Sequence, residues 1–235
     1  MSNGTKMRRE IDEIPDAVER LLTQGAANIA TVADVARQRD PAFVISVARG
    51  SSDHVCTYLK YASEILLGMP VASVGPSIGS IYDARLRLDK GLSLAVSQSG
   101  QSPDIVAMAR NAGRDGALTL ALTNDGASPL ANVSAHTVDI HAGPELSVAA
   151  TKTFVTSAVA GLLLLADWDR NTELLTVIQA QPEPFAAAAQ TSCLEERQAI
   201  GAPQSLFHLG RGQTQAMSNE AAPKTQEPAP HPADS

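Results

Sequence analysis

Aromatic side chains are scarce in this 235-residue chain, at 3% of positions, so a core has to be built from Ala, Val, Leu and Ile. Charge is thin as well, with 18% of residues charged against roughly 25% in an average soluble chain. A basic excess is missing: the formal net charge is −7, spread along the chain, which argues against nucleic acid or an anionic membrane as a partner for the whole surface. The two cysteines, Cys56 and Cys193, have no metal-like or redox spacing, and a reducing cytoplasm is the simplest home. His54, His136, His141, His208 and His231 show no ligand spacing either, so they read as surface or core residues and no metal site is expected. Long hydrophobic runs are absent. The amino terminus, MSNGTKMRREIDEIPDAVERLL, lacks a signal-like apolar stretch, and the strongest run, Ala158 to Ala166, is too short to span a bilayer and reads as a buried helix.

What the chain does have is an alternation. Pro15 opens an apolar pattern reaching about Ala36, which predicts a helix with Pro in its first turn. PAFVISVARGSSD then reads as a strand with a polar end, and HVCTYLKYASEILLG as a helix stopped at Gly68. PVASVG, GLSLAVSQSGQS, GALTLALTN and SAHTVDIHAG read as further strands, Pro103 to Ala112 as a helix with Ser102 as N-cap, and Ala150 to Ala166 as a strongly apolar helix. Strands alternating with helices predict an α/β fold: a parallel sheet with helices on both faces, a three-layer sandwich. In such a sheet ligands sit outside the carboxyl ends of the strands, at a topological switch point.

Three strand ends carry small polar residues. Ser97, Gln98, Ser99 and Ser102 surround Gly100 ahead of a helix start, where free N–H groups and hydroxyls suit a phosphate; a plain capped turn is the other reading. Arg49-Gly50-Ser51-Ser52 repeats the arrangement, with a capped turn on Asp53 as its alternative. GPELSVAATKTF gathers Glu145, Thr151 and Lys152 around a third helix start, which ordinary helix initiation also explains. Beyond Arg170 the pattern predicts helices over Glu173 to Ala189, with a break at Pro182 and Pro184, and over Thr191 to Ile200. SLFHLG then reads as a strand, followed by a glycine turn and a new helix start.

The motifs Arg49-Gly50-Ser51-Ser52-Asp53, Ser97-Gln98-Ser99-Gly100-Gln101-Ser102, Thr123-Asn124 with Ser128-Pro129-Leu130-Ala131, and Glu145 to Lys152 resemble, in order, those of the sugar isomerase (SIS) domain. The resemblance is to the isomerase half of glucosamine-fructose-6-phosphate aminotransferase and to the alternative glucosamine-6-phosphate deaminases, and runs from about Met7 to Gly212. It implies a flavodoxin-like α/β fold, usually two copies per chain in a homodimer, without metal or organic cofactor. It also implies that Ser97, Gln98, Ser99 and Ser102 hold a sugar phosphate, that Ser52 and Thr151 contact the ligand, and that Val148 offers its backbone to the sugar. The family interconverts aldose and ketose phosphates through an enediol or enolamine, which needs a base.

Departures from the pattern set further expectations. Arg49 stands where the synthases carry cysteine and resembles the deaminase type, and Ala150 replaces a common serine. Leu209-Gly210-Arg211-Gly212 with Asn219-Glu220-Ala221-Ala222 resembles the opening of the second SIS domain, which places Lys224 and Glu227 on the catalytic lysine and glutamate. Pro223 and Pro228 bracket those two and are expected to disrupt the helix that aims them. The expected organisation is a helical segment over 1–40, a first SIS domain over 41–170, linker helices over 171–200 and a truncated second domain with a Pro-rich tail over 201–235. The implied function is binding of a hexosamine 6-phosphate or fructose 6-phosphate, of the isomerase or deaminase type and incomplete for catalysis; a binding module without turnover is the alternative.

Overall fold

Apolar runs at the spacing of buried parallel strands, each followed by a segment of helical period, give the chain its layers. The computed structural model describes residues 5–191 and 207–226. The amino-terminal part is helical: α1 (Lys6–Asp12), capped by Thr5 Oγ1 on Arg8 N at 3.2 Å, and α2 (Ile14–Arg20), with Pro15 in its first turn. A single π-helical turn over Leu21–Gly25 joins α2 to α3 (Ala26–Arg39), so the helix expected from Pro15 continues with one widened turn.

The α/β part follows in the order β1 (Phe43–Val47), α4 (Ser51–Leu66), β2 (Val71–Ser73), α5 (Ser77–Ser80), β3 (Gly91–Val96), α6 (Pro103–Arg114), β4 (Leu118–Thr123), α7 (Pro129–Val133), β5 (His136–Asp139) and α8 (Lys152–Asp169). Beyond it lie α9 (Thr172–Gln179), α10 (Pro182–Ala189) and α11 (Thr214–Gln226). The break between α9 and α10 falls just before Pro182, as predicted, whereas Pro184 is accommodated inside the first turn of α10. The helix expected over Thr191 to Ile200 lies outside the described residues but for Thr191; of SLFHLG, the described residues 207–210 form no strand.

The five strands are parallel in the order β2-β1-β3-β4-β5. Successive strands first step outward from β1 to β2, then return to the other side of β1 with β3, so the switch point lies between β1 and β3, paired in register as Val47 with Ala95. Side chains alternate between two cores. Val44, Leu92, Leu94, Val96, Leu120 and Leu122 pack on α3, α4 and α8; Ile45, Val47, Ala95 and Ala121 pack on α6 and α7. Ala, Leu and Val fill both layers with few rings, as the composition requires, each large aliphatic contributing about 1.5–3 kcal/mol on burial. Gly161 brings α8 against α4: a Cβ there would stand 2.3 Å from Leu59 Cδ1, so that contact, which fixes the axis of α4, needs a residue without a side chain.

Candidate functional site

At the switch point two helix-starting turns stand side by side, one after β1 and one after β3. After β3 the chain turns through Gly100, whose φ of 60° is left-handed. Local bonds hold the turn: Gly100 N donates to Ser97 Oγ at 3.2 Å and Gln101 N to Ser99 Oγ at 3.3 Å. Asn124 N, from the neighbouring strand end, donates to Gln98 O at 3.0 Å. Ser102 occupies the N-cap position of α6, yet its side chain makes no capping bond. Among the described residues the hydroxyl expected to satisfy the helix has no partner, and neither does the side-chain amide of the exposed Gln98.

After β1, Gly50 with φ 54° and ψ −136° starts α4, and Asp53 N returns to Gly50 O at 2.9 Å, so Ser51 and Ser52 sit in the first turn of that helix. Arg49 Nε lies 2.5 Å from Asp104 Oδ2 in the first turn of α6, an ion pair rather than an aligned hydrogen bond, since that oxygen otherwise has no bonding partner. It ties the two turns together and sets an exposed guanidinium against the one acid in that helix start.

A third element enters from the β5–α8 connection, residues 140–151, which has no regular structure. Apart from Ile140 N, which donates to Thr123 O, its bonded amides end on side chains. Ala142 N donates to Asn124 Oδ1 at 2.9 Å, and Asn124 Nδ2 returns to Gly143 O at 2.8 Å, which fixes the segment to the end of β4. Leu146 N and Ser147 N donate to Glu10 Oε1 at 2.5 and 3.2 Å. Burial alone would raise the Glu10 carboxyl; the Ser147 side chain and the Leu146 and Ser147 amides, with the Lys152 charge behind them, outweigh this and hold it below its ordinary value. Glu145 Oε1 accepts from Thr151 N, Thr151 Oγ1 and Thr153 N at 3.1, 2.8 and 3.0 Å, and its other oxygen accepts from Thr153 Oγ1. Lys152 is 2% exposed and pairs with Glu13.

The fourth element is α11. Glu220, 4% exposed, is hydrogen-bonded to His54 Nδ1 at 2.7 Å and pairs with Lys224 Nζ at 2.8 Å, while Lys224 donates to Ala150 O at 2.5 Å. The first turn of α4, the 140–151 segment and α11 thus meet in one polar cluster. The helix also corrects an expectation: α11 continues through Pro223 to Gln226. Pro223 removes one backbone bond in a turn that Lys224 anchors from outside, and the helix tolerates the loss near its end.

The sequence-derived residues therefore divide. Ser97, Gln98, Ser99, Ser102 and Ser52 lie on the two turns of the switch point, and Val148, fully exposed, lies on the segment beside them. Thr151 is 5% exposed with its hydroxyl held by Glu145, so its side chain shapes the segment instead of facing outward. Lys224 reaches the cluster; Glu227 lies outside the described residues. His54, read from sequence as a plain core or surface residue, belongs to the cluster, and Glu10 and Glu220 were not singled out as site residues at all. Their partners are 166 and 136 positions away, beyond any local pattern; only the Asn219-Glu220-Ala221-Ala222 motif marks one of them. An open cavity of about 460 Å³, lined by Arg20, Asn124, Asp139, His141, Gly143 and Pro144, adjoins the segment. Among the described residues no group of three or more His, Cys, Asp or Glu is arranged to hold a metal, and no helix is long and apolar enough to cross a membrane.

The SIS domain model matches residues 37–166. Glutamine--fructose-6-phosphate aminotransferase [isomerizing] of Symbiobacterium thermophilum is 33% identical over 245 residues, covering 94% of this chain and 39% of its own length. The chain thus spans about two fifths of the curated relatives it matches. A crystal structure from Silicibacter pomeroyi DSS-3, provisionally named a phosphosugar isomerase, is 71% identical with a TM-score of 0.91, over 93% of this chain and 67% of that one. The C-terminal domain of glucosamine-fructose-6-phosphate aminotransferase from Francisella tularensis shares the fold, with TM-score 0.74 at 22% identity over 94% of this chain and 67% of that one.

Proposed function

The chain belongs to the SIS domain family, and on that premise we propose that the two turns at its switch point bind a hexose or hexosamine 6-phosphate. The observation that carries this reading is Ser102: it stands at the start of a 12-residue helix, beside the left-handed Gly100, and leaves its hydroxyl and the helix start unbonded. In this reading the phosphate lies on Ser97 to Ser102, where hydroxyls, the Gln98 amide and the helix dipole supply the donors, and Arg49 offsets the charge of Asp104. The sugar extends toward Ser52 and the backbone at Val148.

Aldose–ketose interconversion moves a proton between neighbouring carbons, so it needs a group that takes the proton and returns it. His54, Glu220 and Lys224 meet beside Ser52 and Ala150. Glu220 binds His54 through Nδ1, which leaves Nε2 as the atom able to carry a proton. Lys224 and Glu227, placed by motif spacing, are proposed as catalytic, and no cofactor enters. A ligand at about 100 times its Kd stabilises a fold by roughly 2.7 kcal/mol, which a thermal shift with fructose 6-phosphate reads; Ser97→Ala with Ser99→Ala removes the shift, and no shift in the unmutated chain overturns the reading.

A second reading, binding without turnover, is favoured by the way Glu220, His54 and Lys224 engage one another and Ala150 O. Ammonia release from glucosamine 6-phosphate separates the two: turnover above the uncatalysed rate removes the second reading, and its absence with a retained thermal shift supports it. A homodimer is proposed as well, supported by apolar side chains left outside, Ile81 and Leu209 at 74% and 92% exposure; a monomer by light scattering would remove it.

A further inference from the structure

We propose that Glu10 is a positioning residue that sets the shape of the 143–151 segment, and through it the affinity for the sugar half of the ligand but not for the phosphate. The inference rests on the sugar-phosphate reading above. Between Gly143 and Ala150 no backbone amide donates to a backbone carbonyl among the described residues, and no helix or strand runs through this stretch. Its two bonded amides, Leu146 N and Ser147 N, both end on one side chain from α1, Glu10, at 2.5 and 3.2 Å to Oε1, with Ser147 N also 3.3 Å from Oε2. Glu10 is 6% exposed and, among the described residues, forms no salt bridge, so those two amides are its backbone donors, with the Lys152 charge behind them.

Position makes the tie functional. Leu146 and Ser147 immediately precede Val148, and Ala150 O receives Lys224 Nζ at 2.5 Å, so the Glu10 bonds lie one residue from the backbone that borders the sugar. Glu13, one helical turn after Glu10, pairs with Lys152 at the far end of the segment. Two carboxylates at i and i+3 on the amino-terminal helices thus bracket it, and among the described residues only Glu10 bonds the amides between Glu145 and Ala150. The phosphate turn, held by Ser97, Ser99 and Asn124, has no bond to Glu10.

The test is calorimetric titration of the full chain with fructose 6-phosphate and, separately, inorganic phosphate, on the unmutated protein, Glu10→Ala and Glu10→Gln. Glu10→Ala is expected to weaken fructose 6-phosphate about tenfold and leave inorganic phosphate within about twofold, with Glu10→Gln, which keeps one acceptor oxygen, in between. Hydrogen exchange supplies a readout independent of ligand: amides of Leu146 and Ser147 lose protection in Glu10→Ala while those of β3 keep theirs. Equal fructose 6-phosphate affinity in all three proteins, parallel loss of both ligands, or unchanged protection overturns the proposal. An unmutated chain that binds neither ligand overturns the sugar-phosphate reading instead, and the exchange result then still decides whether Glu10 holds the segment.

Discussion

The Ser97–Ser102 turn and the 143–151 segment border the same proposed ligand but are held by different means. The turn's side-chain bonds span two or three residues, from Gly100 N to Ser97 Oγ and from Gln101 N to Ser99 Oγ, and it sits on the end of a fully buried strand. The segment hangs from Glu10 and Glu13, 136 and 139 residues away, with Glu145 closing its exit into α8. A turn of the first kind is rigid because its strand is; a segment of the second kind is as rigid as the carboxylates that hold it. That division suits a site in which phosphate, common to many sugars, meets the fixed wall, and the variable part of the ligand meets the adjustable one.

The severest way to break the contrast is at Gly100. A Cβ there would lie 2.2 Å from Ser128 Oγ and 2.5 Å from Ser128 Cβ, in a left-handed conformation besides. Ser128 is 1% exposed and caps α7 through Ala131 N, so it has no room to yield. Gly100→Ala is expected to cost about 2–4 kcal/mol by urea denaturation and to remove phosphate binding. A loss under about 1 kcal/mol would show the turn to be as adaptable as the segment.

Next in size is Glu145→Ala, which strands the amides and hydroxyls of Thr151 and Thr153 at the start of α8. The expected loss is about 1–3 kcal/mol in the same measurement, with fructose 6-phosphate weakened more than inorganic phosphate. Equal weakening of both ligands would merge the two regions into one.

Ser102→Ala sharpens the comparison from the other side. An N-cap serine ordinarily stabilises its helix by about 1 kcal/mol, but Ser102 makes no capping bond, so the substitution is expected to leave the urea midpoint unchanged while weakening inorganic phosphate about tenfold. A lower midpoint with unchanged phosphate affinity would make Ser102 a cap and nothing more.

The same contrast explains what the sequence discloses. The fold was legible because strand runs such as GLSLAV and the helices after them signal within a dozen residues, and the polar strand ends fell at the switch point because parallel topology sends all carboxyl ends to one edge. The phosphate turn was legible for that reason, as a cluster contiguous in sequence. Its uncapped state was not, since Ser102 before Pro103 reads as an ordinary cap. Pro223 misled in the opposite direction, because a contact from Lys224 to Ala150 O, 74 residues away, secures a helix that local propensity would end. Glu10 and His54 carry no local signal and Glu220 only that of its motif, since what makes each one matter is a partner brought close by the fold.

The smallest expected effect tests whether charge, rather than shape, holds the segment. Glu10 keeps its carboxyl below the ordinary value of 4.5, so in the folded chain it stays ionised to lower pH than in the unfolded one. A group depressed on folding contributes stability that is complete above its unfolded value and is lost as pH falls through its folded value. The difference in urea midpoint between the unmutated chain and Glu10→Gln is therefore expected to be constant at neutral pH, to shrink below 4.5 and to vanish once the folded carboxyl is protonated. Acid also carries the chain through its pI of about 5.2, but that change is shared by both proteins and cancels in the difference. A difference that persists unchanged at the acid end would mean that Gln fails through its amide geometry, and that the segment is tied by the fit of the Glu10 side chain and not by its charge.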